Sequence, residues 1–190
     1  MKDMETALFI IIILFVLYII YRFIILITKM KQPIIYPITD QEWSSTHVYP
    51  QKKIRPPRPS YQKGGVLLYT CTIIYFTIVL VLWFYFETIS WPLLVLAIVP
   101  YLQMHTVFNM FAVVQDGMLC GGRFIRWKFI KSYEWYPINT NHRFYGFGEE
   151  VNNGYELKLK TKFIALPASL IVTDTSVKQN LTETLKQYVE

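Results

Sequence analysis

The chain has 190 residues, 53% of them hydrophobic and 17% charged; that balance is more apolar and less charged than a soluble domain carries, so part of the chain is expected to have a bilayer as its solvent. Its net charge of +6 is localised: Lys29, Lys31, Lys52, Lys53, Arg55, Arg58 and Lys63 against Asp40 and Glu42 make residues 29–65 net +5, whereas 113–190 is only net +2. Basicity beside apolar runs points to a membrane surface before it points to nucleic acid, and with Cys71 inside an apolar run and Cys120 in the later β-rich stretch the two cysteines offer neither CxxC metal spacing nor a disulfide framework.

The first apolar run, Ala7 to Ile27, is interrupted only by Arg22. It is long enough for a transmembrane helix and lacks the small-residue cleavage pattern of a signal peptide, so residues 1–28 read as an uncleaved anchor with a short N-terminus. Residues 29–65 follow as a basic connection holding Pro33, Pro37, Pro50, Pro56, Pro57 and Pro59. That proline density speaks against a long helix or a central strand. The segment is either a solvated loop retained on the cytoplasmic side or a contact for anionic lipid or a partner through Lys52, Lys53, Arg55 and Arg58, aided by Trp43 and Tyr49. Its PPRP run would also suit a polyproline II ligand.

Two further apolar runs, Val66–Phe86 and Pro92–Val113, are separated by a short polar link and read as a helical hairpin over 66–112, with Ser90 as N-cap and Pro92 in the first turn. Trp83, Tyr85 and Trp91 sit at its tip as an aromatic belt would. Because the cations lie between the first and second spans, the positive-inside rule places the N-terminus outside and both residues 29–65 and the C-terminal domain in the cytoplasm. In the third span, Pro100 should kink the helix. Gln103, His105 and Asn109 bring polar groups to membrane depth, with His105 and Asn109 on one helical face. They either pack against Thr70, Thr72 or Thr77 or form a contact site for another membrane protein or a small permeant.

From Val113 the periodicity changes to two. Phe124–Ile130 alternates Ile125, Trp127 and Phe129 with Arg126 and Lys128, and Tyr155, Leu157 and Leu159 alternate with charged residues after the Asn152-Asn153-Gly154 turn. A short strand is expected near Phe163–Leu166. Residues 176–188 form an amphipathic helix with Val177, Leu181, Leu185 and Tyr188 on one face, opened by a Ser176/Gln179 capping box. The fold class is thus three transmembrane helices plus a small β-rich domain, 113–190, closed by a C-terminal helix.

Asp116-Gly117-Met118, the Gly121-Gly122 turn, Phe124-Ile125-Arg126-Trp127-Lys128-Phe129-Ile130 and Tyr133-Glu134-Trp135 together make residues 113–189 resemble the pleckstrin-homology-like domains of bacterial membrane-anchored proteins, including the sublancin-type bacteriocin immunity group. The resemblance implies a PH-like cytoplasmic domain and a protein that confers immunity to a peptide toxin. The soluble part is short for a complete barrel of that kind, and three spans exceed the single span of the immunity proteins.

No constellation of catalytic residues emerges. His47, His105 and His142 are scattered without HExxH spacing or a carboxylate at ligand spacing, Glu149 and Glu150 are adjacent and would face opposite ways on a strand, and neither a phosphate loop nor GxSxG is present. The expectation is therefore a non-enzymatic membrane interaction protein without metal or cofactor, able to form homo-oligomers. Its partners are membrane lipids and another membrane protein or a peptide toxin. Its intramembrane contact residues are Gln103, His105 and Asn109, and its anionic-lipid or partner contacts are Lys52, Lys53, Arg55, Arg58, Arg126 and Lys128. The alternative is an accessory or regulatory subunit of a transporter or secretion complex.

Overall fold

The computed structural model describes residues 2–50, 52–86, 107–162 and 168–189. The expected 87–91 link, most of the third span with Gln103 and His105, and the strand at 163–166 lie outside the described residues.

Two helices, α1 (Lys2–Lys29) and α3 (Lys63–Phe86), are long and apolar enough to cross a membrane. They pack antiparallel through aromatic pairs spaced along their length: Phe23 stacks on Tyr69 at 4.8 Å, Phe15 meets Phe76 edge-on at 5.7 Å and Phe9 meets Trp83 at 5.2 Å. Their outward faces leave Leu14, Leu17, Leu67 and Ile78 exposed, as helices surrounded by hydrocarbon would.

The β-rich part consists of two antiparallel sheets. Strands β1 (Ile34–Tyr36), β4 (Phe111–Val114), β5 (Gly117–Cys120) and β6 (Arg123–Arg126) form the first in that order. The second runs β3 (Lys52–Lys53), β2 (Thr46–Tyr49), β9 (Ala168–Val172), β8 (Tyr155–Thr161), β7 (Ile130–Pro137), with a short helix, α4 (Glu149–Asn152), ahead of β8. Between them lies a core of Phe111, Val113, Met118, Ile125, Leu157 and Leu170, onto which α5 (Thr175–Lys186) lays Val177, Leu181 and Leu185. Burying those three side chains is worth roughly 1.5–3 kcal/mol each. The Trp135 indole N–H donates to Thr182 at 3.0 Å, and Trp127 stacks on Tyr188 at 4.6 Å, so the helix is pinned at its middle and just past its C-terminal end.

The first sheet is covered on its other face as well. Ala112, Val114 and Leu119 join Phe108 and Met110 in a second core with Val16, Ile19, Leu26 and Met30 of α1 and Tyr69 and Phe76 of α3. The β domain is thus packed directly onto the helical pair. Lys29, the last residue of α1, pairs with Asp116 in the β4–β5 turn, and the Gln32 amide donates to the same carboxylate at 3.3 Å.

Four expectations are corrected. The third apolar run does not remain helical to Val113: the chain leaves helix after Val107, and Phe111–Val114 is a strand. All four of its residues are buried because both faces of the strand are covered, and such a strand shows no alternation that would distinguish it from a helix. Phe124–Ile130 is not one strand, since β6 stops at Arg126 and a single 3₁₀ turn, Trp127–Phe129, carries the chain into the second sheet. Arg126 and Lys128 accordingly do not share a strand face. The cap of α5 is Asp174, whose carboxylate accepts from the Ser176 N–H at 2.7 Å, in place of Ser176 itself.

The fourth correction concerns residues 29–65, which are not a connection lying outside the domain. They supply β1, α2 (Asp40–Ser45), β2 and β3, with β1 beside β4 and β2 beside β9 in an interior position. The prolines flank these strands without interrupting them. A capping box at Thr39 and Glu42 starts α2, and Glu42 also accepts from Asn180 of α5 at 3.4 Å. Although burial acts to raise its pKa, the backbone N–H groups of Thr39 and Ile38, with Asn180, hold the Glu42 carboxyl below its ordinary value.

Candidate functional site

Of the sequence-derived contact residues, Lys52, Lys53, Arg55 and Asn109 line one cleft of about 520 Å³ beside Gly64 and Gly65 at the start of α3. Asn109 is not on a helical face with His105: it sits two residues before β4, where a turn of polar groups fixes it. The Asn109 side-chain amide donates to the Lys53 carbonyl at 2.6 Å, and the Arg55 N–H donates to the Asn109 carbonyl at 2.9 Å. Gln62, almost fully buried, accepts from the Asn109 N–H and donates to its carbonyl, both at 3.3 Å. This clasp joins the end of residues 29–65 to the entry of the β domain, and it holds the Lys52, Lys53 and Arg55 head groups exposed around the opening. Arg58 is exposed in the following turn and does not line the cleft.

Arg126 lies elsewhere, at the end of edge strand β6. It lines a second cleft of about 360 Å³ with Gly122, Phe124 and Phe129 on one wall and Tyr18, Tyr21, Arg22 and Ile25 of α1 on the other. The α1 residues recur at spacings of three, one and three, which is a single helical stripe. Lys128 is exposed on the 3₁₀ turn, its ammonium 5.2 Å from the centre of the Phe129 ring. The two cationic groups expected to act together are therefore split between two openings, one at α3 and one at α1.

A third arrangement has no counterpart in the sequence reading. Glu156 of β8 is completely buried on the outer face of the second sheet, under the segment that carries Ile138, Phe144 and Val151. Its carboxylate meets His142 Nε2 at 2.9 Å, the Arg143 guanidinium and the Lys158 ammonium at 3.4 Å. An imidazole, a guanidinium and an ammonium from His142, Arg143 and Lys158 converge on this one carboxylate and fix it in place, which suits a brace for the 138–152 segment. The sequence signal that could have found it is the presence of Ile138, Phe144 and Val151 in the loop, because apolar loop residues need a surface to cover.

His47 of β2 is nearly buried on that same outer face, across from Ile171. Burial, with the nearby Lys53 charge, pushes its pKa below the ordinary imidazole value, so the ring is neutral near neutral pH. Cys120, buried, has its thiol pushed up to about 12 by that burial and is not poised as a nucleophile. Among the described residues no three His, Cys, Asp or Glu side chains gather as metal ligands would.

Residues 109–190 match a family described as a domain of unknown function, DUF5673. The match covers the C-terminal two fifths of the chain and omits β1, α2, β2 and β3. No curated protein and no solved structure matches the chain.

Proposed function

We propose that this chain is a membrane-anchored recognition protein, in which three spans hold a PH-like module against the cytoplasmic leaflet and the cationic rim at Lys52, Lys53 and Arg55 meets a partner embedded in the same membrane. The observation that carries this reading is the burial of the first sheet on both faces, one against α1 and α3. A module packed onto the spans has its rim at a set height and orientation, which a flexibly tethered domain lacks.

The third span is supported by where the described chain leaves and returns. Helix α3 has 24 residues, or about 36 Å at the ordinary helical rise. It starts beside Phe108 and ends at Phe86, yet Val107 lines the cleft that holds Gly64 and Gly65 at the start of the helix. Residues 87–106 therefore connect the two ends of α3, a separation that one further crossing covers. The PH-like reading is supported by two antiparallel sheets closed by a C-terminal helix. The cytoplasmic orientation follows from the cations between α1 and α3.

The partner classes are those named above: another membrane protein or a membrane-active peptide toxin. Photo-cross-linking residues placed at Lys53 and, as a control on exposed α5, at Glu183 test this in native membranes. One membrane-embedded partner or added peptide toxin is expected at 53 and not at 183. Adducts at neither position, or the same adducts at both, would overturn the proposal.

A further inference from the structure

The cleft between α1 and β6 has features that partner recognition at the α3 rim does not use. Its floor and walls are aromatic, with Tyr18 and Tyr21 on α1 and Phe124 and Phe129 on the sheet side, and two guanidinium groups from different elements, Arg22 and Arg126, open into it. Among the described residues neither arginine has a carboxylate within ion-pairing reach. The carboxylate electrostatically nearest Arg126, Asp116, is already held by Lys29 and Gln32.

Arg22 lies seven residues before Lys29, so its backbone is about 10 Å further along the helix than the last turn, inside the stretch apolar enough to span. An unpaired guanidinium at that depth is costly. Its one described contact, 5.9 Å over the Tyr18 ring, is a weak cation–π arrangement that leaves its N–H donors free for an anion. Beyond the cleft, the same stripe of α1 continues as exposed Ile11 and Leu14, at 60% and 61%. Cations at one end and an apolar track at the other match an amphiphile with an anionic head. A phosphodiester can accept paired N–H groups from each guanidinium, while acyl chains lie along Leu14 and Ile11. A free phosphate would satisfy only the first half of the cleft.

We propose that the α1–β6 cleft is a specific site for one anionic phospholipid, its phosphate held between Arg22 and Arg126 and its chains along the exposed stripe of α1. The site rests on the reading of α1 as a membrane span, and it would lock the β domain to the leaflet at a second place, opposite the α3 rim.

The full-length protein is purified in detergent, delipidated, and titrated separately with phosphatidylglycerol, phosphatidylcholine and inorganic phosphate, reading bound lipid by native mass spectrometry and stability by thermal melting. One phosphatidylglycerol should be retained and should raise the melting temperature, with phosphatidylcholine and inorganic phosphate doing neither. R22Q/R126Q should weaken retention by at least about tenfold, the loss of one or two charge-assisted bonds, whereas K52Q/K53Q should not alter it. Should the double variant fail to fold, R126Q, at the exposed end of β6, is used alone. Equal retention of the two lipids, equal protection by inorganic phosphate, or undiminished retention in the arginine variants would overturn the site. Carbonate extraction of the wild type separates the two levels: a protein released from membranes refutes the span itself, and an embedded protein without lipid selectivity refutes only this site.

Discussion

Two adjacent glycines open α3, and they should respond oppositely to the same substitution. A Cβ added at Gly64 meets nothing within 4 Å, whereas one added at Gly65 would lie 2.8 Å from two carbons of the Phe108 ring. Ordinary Cβ contacts begin near 3.4 Å, so the ring or the helix must move by about 0.6 Å, in a core where overpacking costs roughly 1–3 kcal/mol. Phe108 has little room to yield, being fully buried with the Tyr69 ring 6.1 Å from its own. Both substitutions remove a glycine from the first helical turn, and the intrinsic helix gain of up to about 1 kcal/mol is common to the two. The difference between them therefore isolates the packing of Phe108 on α3. Gly65→Ala should be less stable than Gly64→Ala by about 2 kcal/mol, or roughly 4–8 °C in melting temperature for a chain of this size, followed by tryptophan fluorescence in micelles. Adding Phe108→Leu should recover part of that loss in the Gly65→Ala background while costing stability in the wild type. Equal melting of the two alanine variants would mean that the segment entering β4 does not pack on α3, and the docked arrangement of the β domain and the helical pair would fail with it.

The Glu156 brace predicts an asymmetry: Glu156→Gln removes the buried carboxylate and should cost about 1 kcal/mol, whereas Arg143→Ala with Lys158→Ala leaves that buried carboxylate only its His142 contact and should cost about 3 kcal/mol, with the reverse order in denaturant melts counting against the brace. The Cys120 thiol, pushed up to about 12 by burial, should alkylate roughly three orders of magnitude more slowly than an ordinary thiol at pH 8 until denaturant is added; prompt labelling mapped by mass spectrometry to Cys120, read apart from the exposed Cys71, would contradict its burial. For His47, whose folded pKa is depressed, the unfolded chain binds the extra proton, so stability is fully present above about pH 6.5 and is lost as pH falls from there toward the folded pKa, by at most about 1.4 kcal/mol per pH unit. His47→Gln should flatten that slope in melts between pH 5 and 7, and an unchanged slope would assign it to another group.

How much of this could be read from residues alone depended on whether an element has one covered face or two. Helices α1 and α3 announce themselves by length, and α5 by Val177, Leu181 and Leu185, because one side of α5 remains in water. Strand β8 is similarly plain from Tyr155, Leu157 and Leu159, yet its outward Glu156 is buried under a segment that looked solvated. Strand β4 was hidden for the opposite reason: Phe111, Ala112, Val113 and Val114 have no wet side, and they follow an apolar run directly. In residues 29–65 the prolines were informative about where strands end, not about whether they exist. The cationic residues were visible individually, but the cleft that joins Lys53 to Asn109 and the one that joins Arg22 to Arg126 depend on long-range packing, which neither charge counting nor periodicity reports.

The composite domain bears on what the family match describes. Within 109–190, β4, β5 and β6 form one consecutive antiparallel run and β7, β8 and β9 another, with α5 packed on their common core. Each run has an unpaired strand on the side where residues 29–65 dock: β1 covers β4, and β2 with β3 covers β9. An open edge with buried, apolar neighbours is a site for unwanted pairing, so a single segment closes both sheets at once. The clasp of Gln62 on Asn109 brings the end of that segment to the start of the matched region, with α3 lying between them in sequence. Helix α3 is therefore inserted within the β domain, whereas α1 precedes it, and the start of α3 lies beside the Lys53 rim.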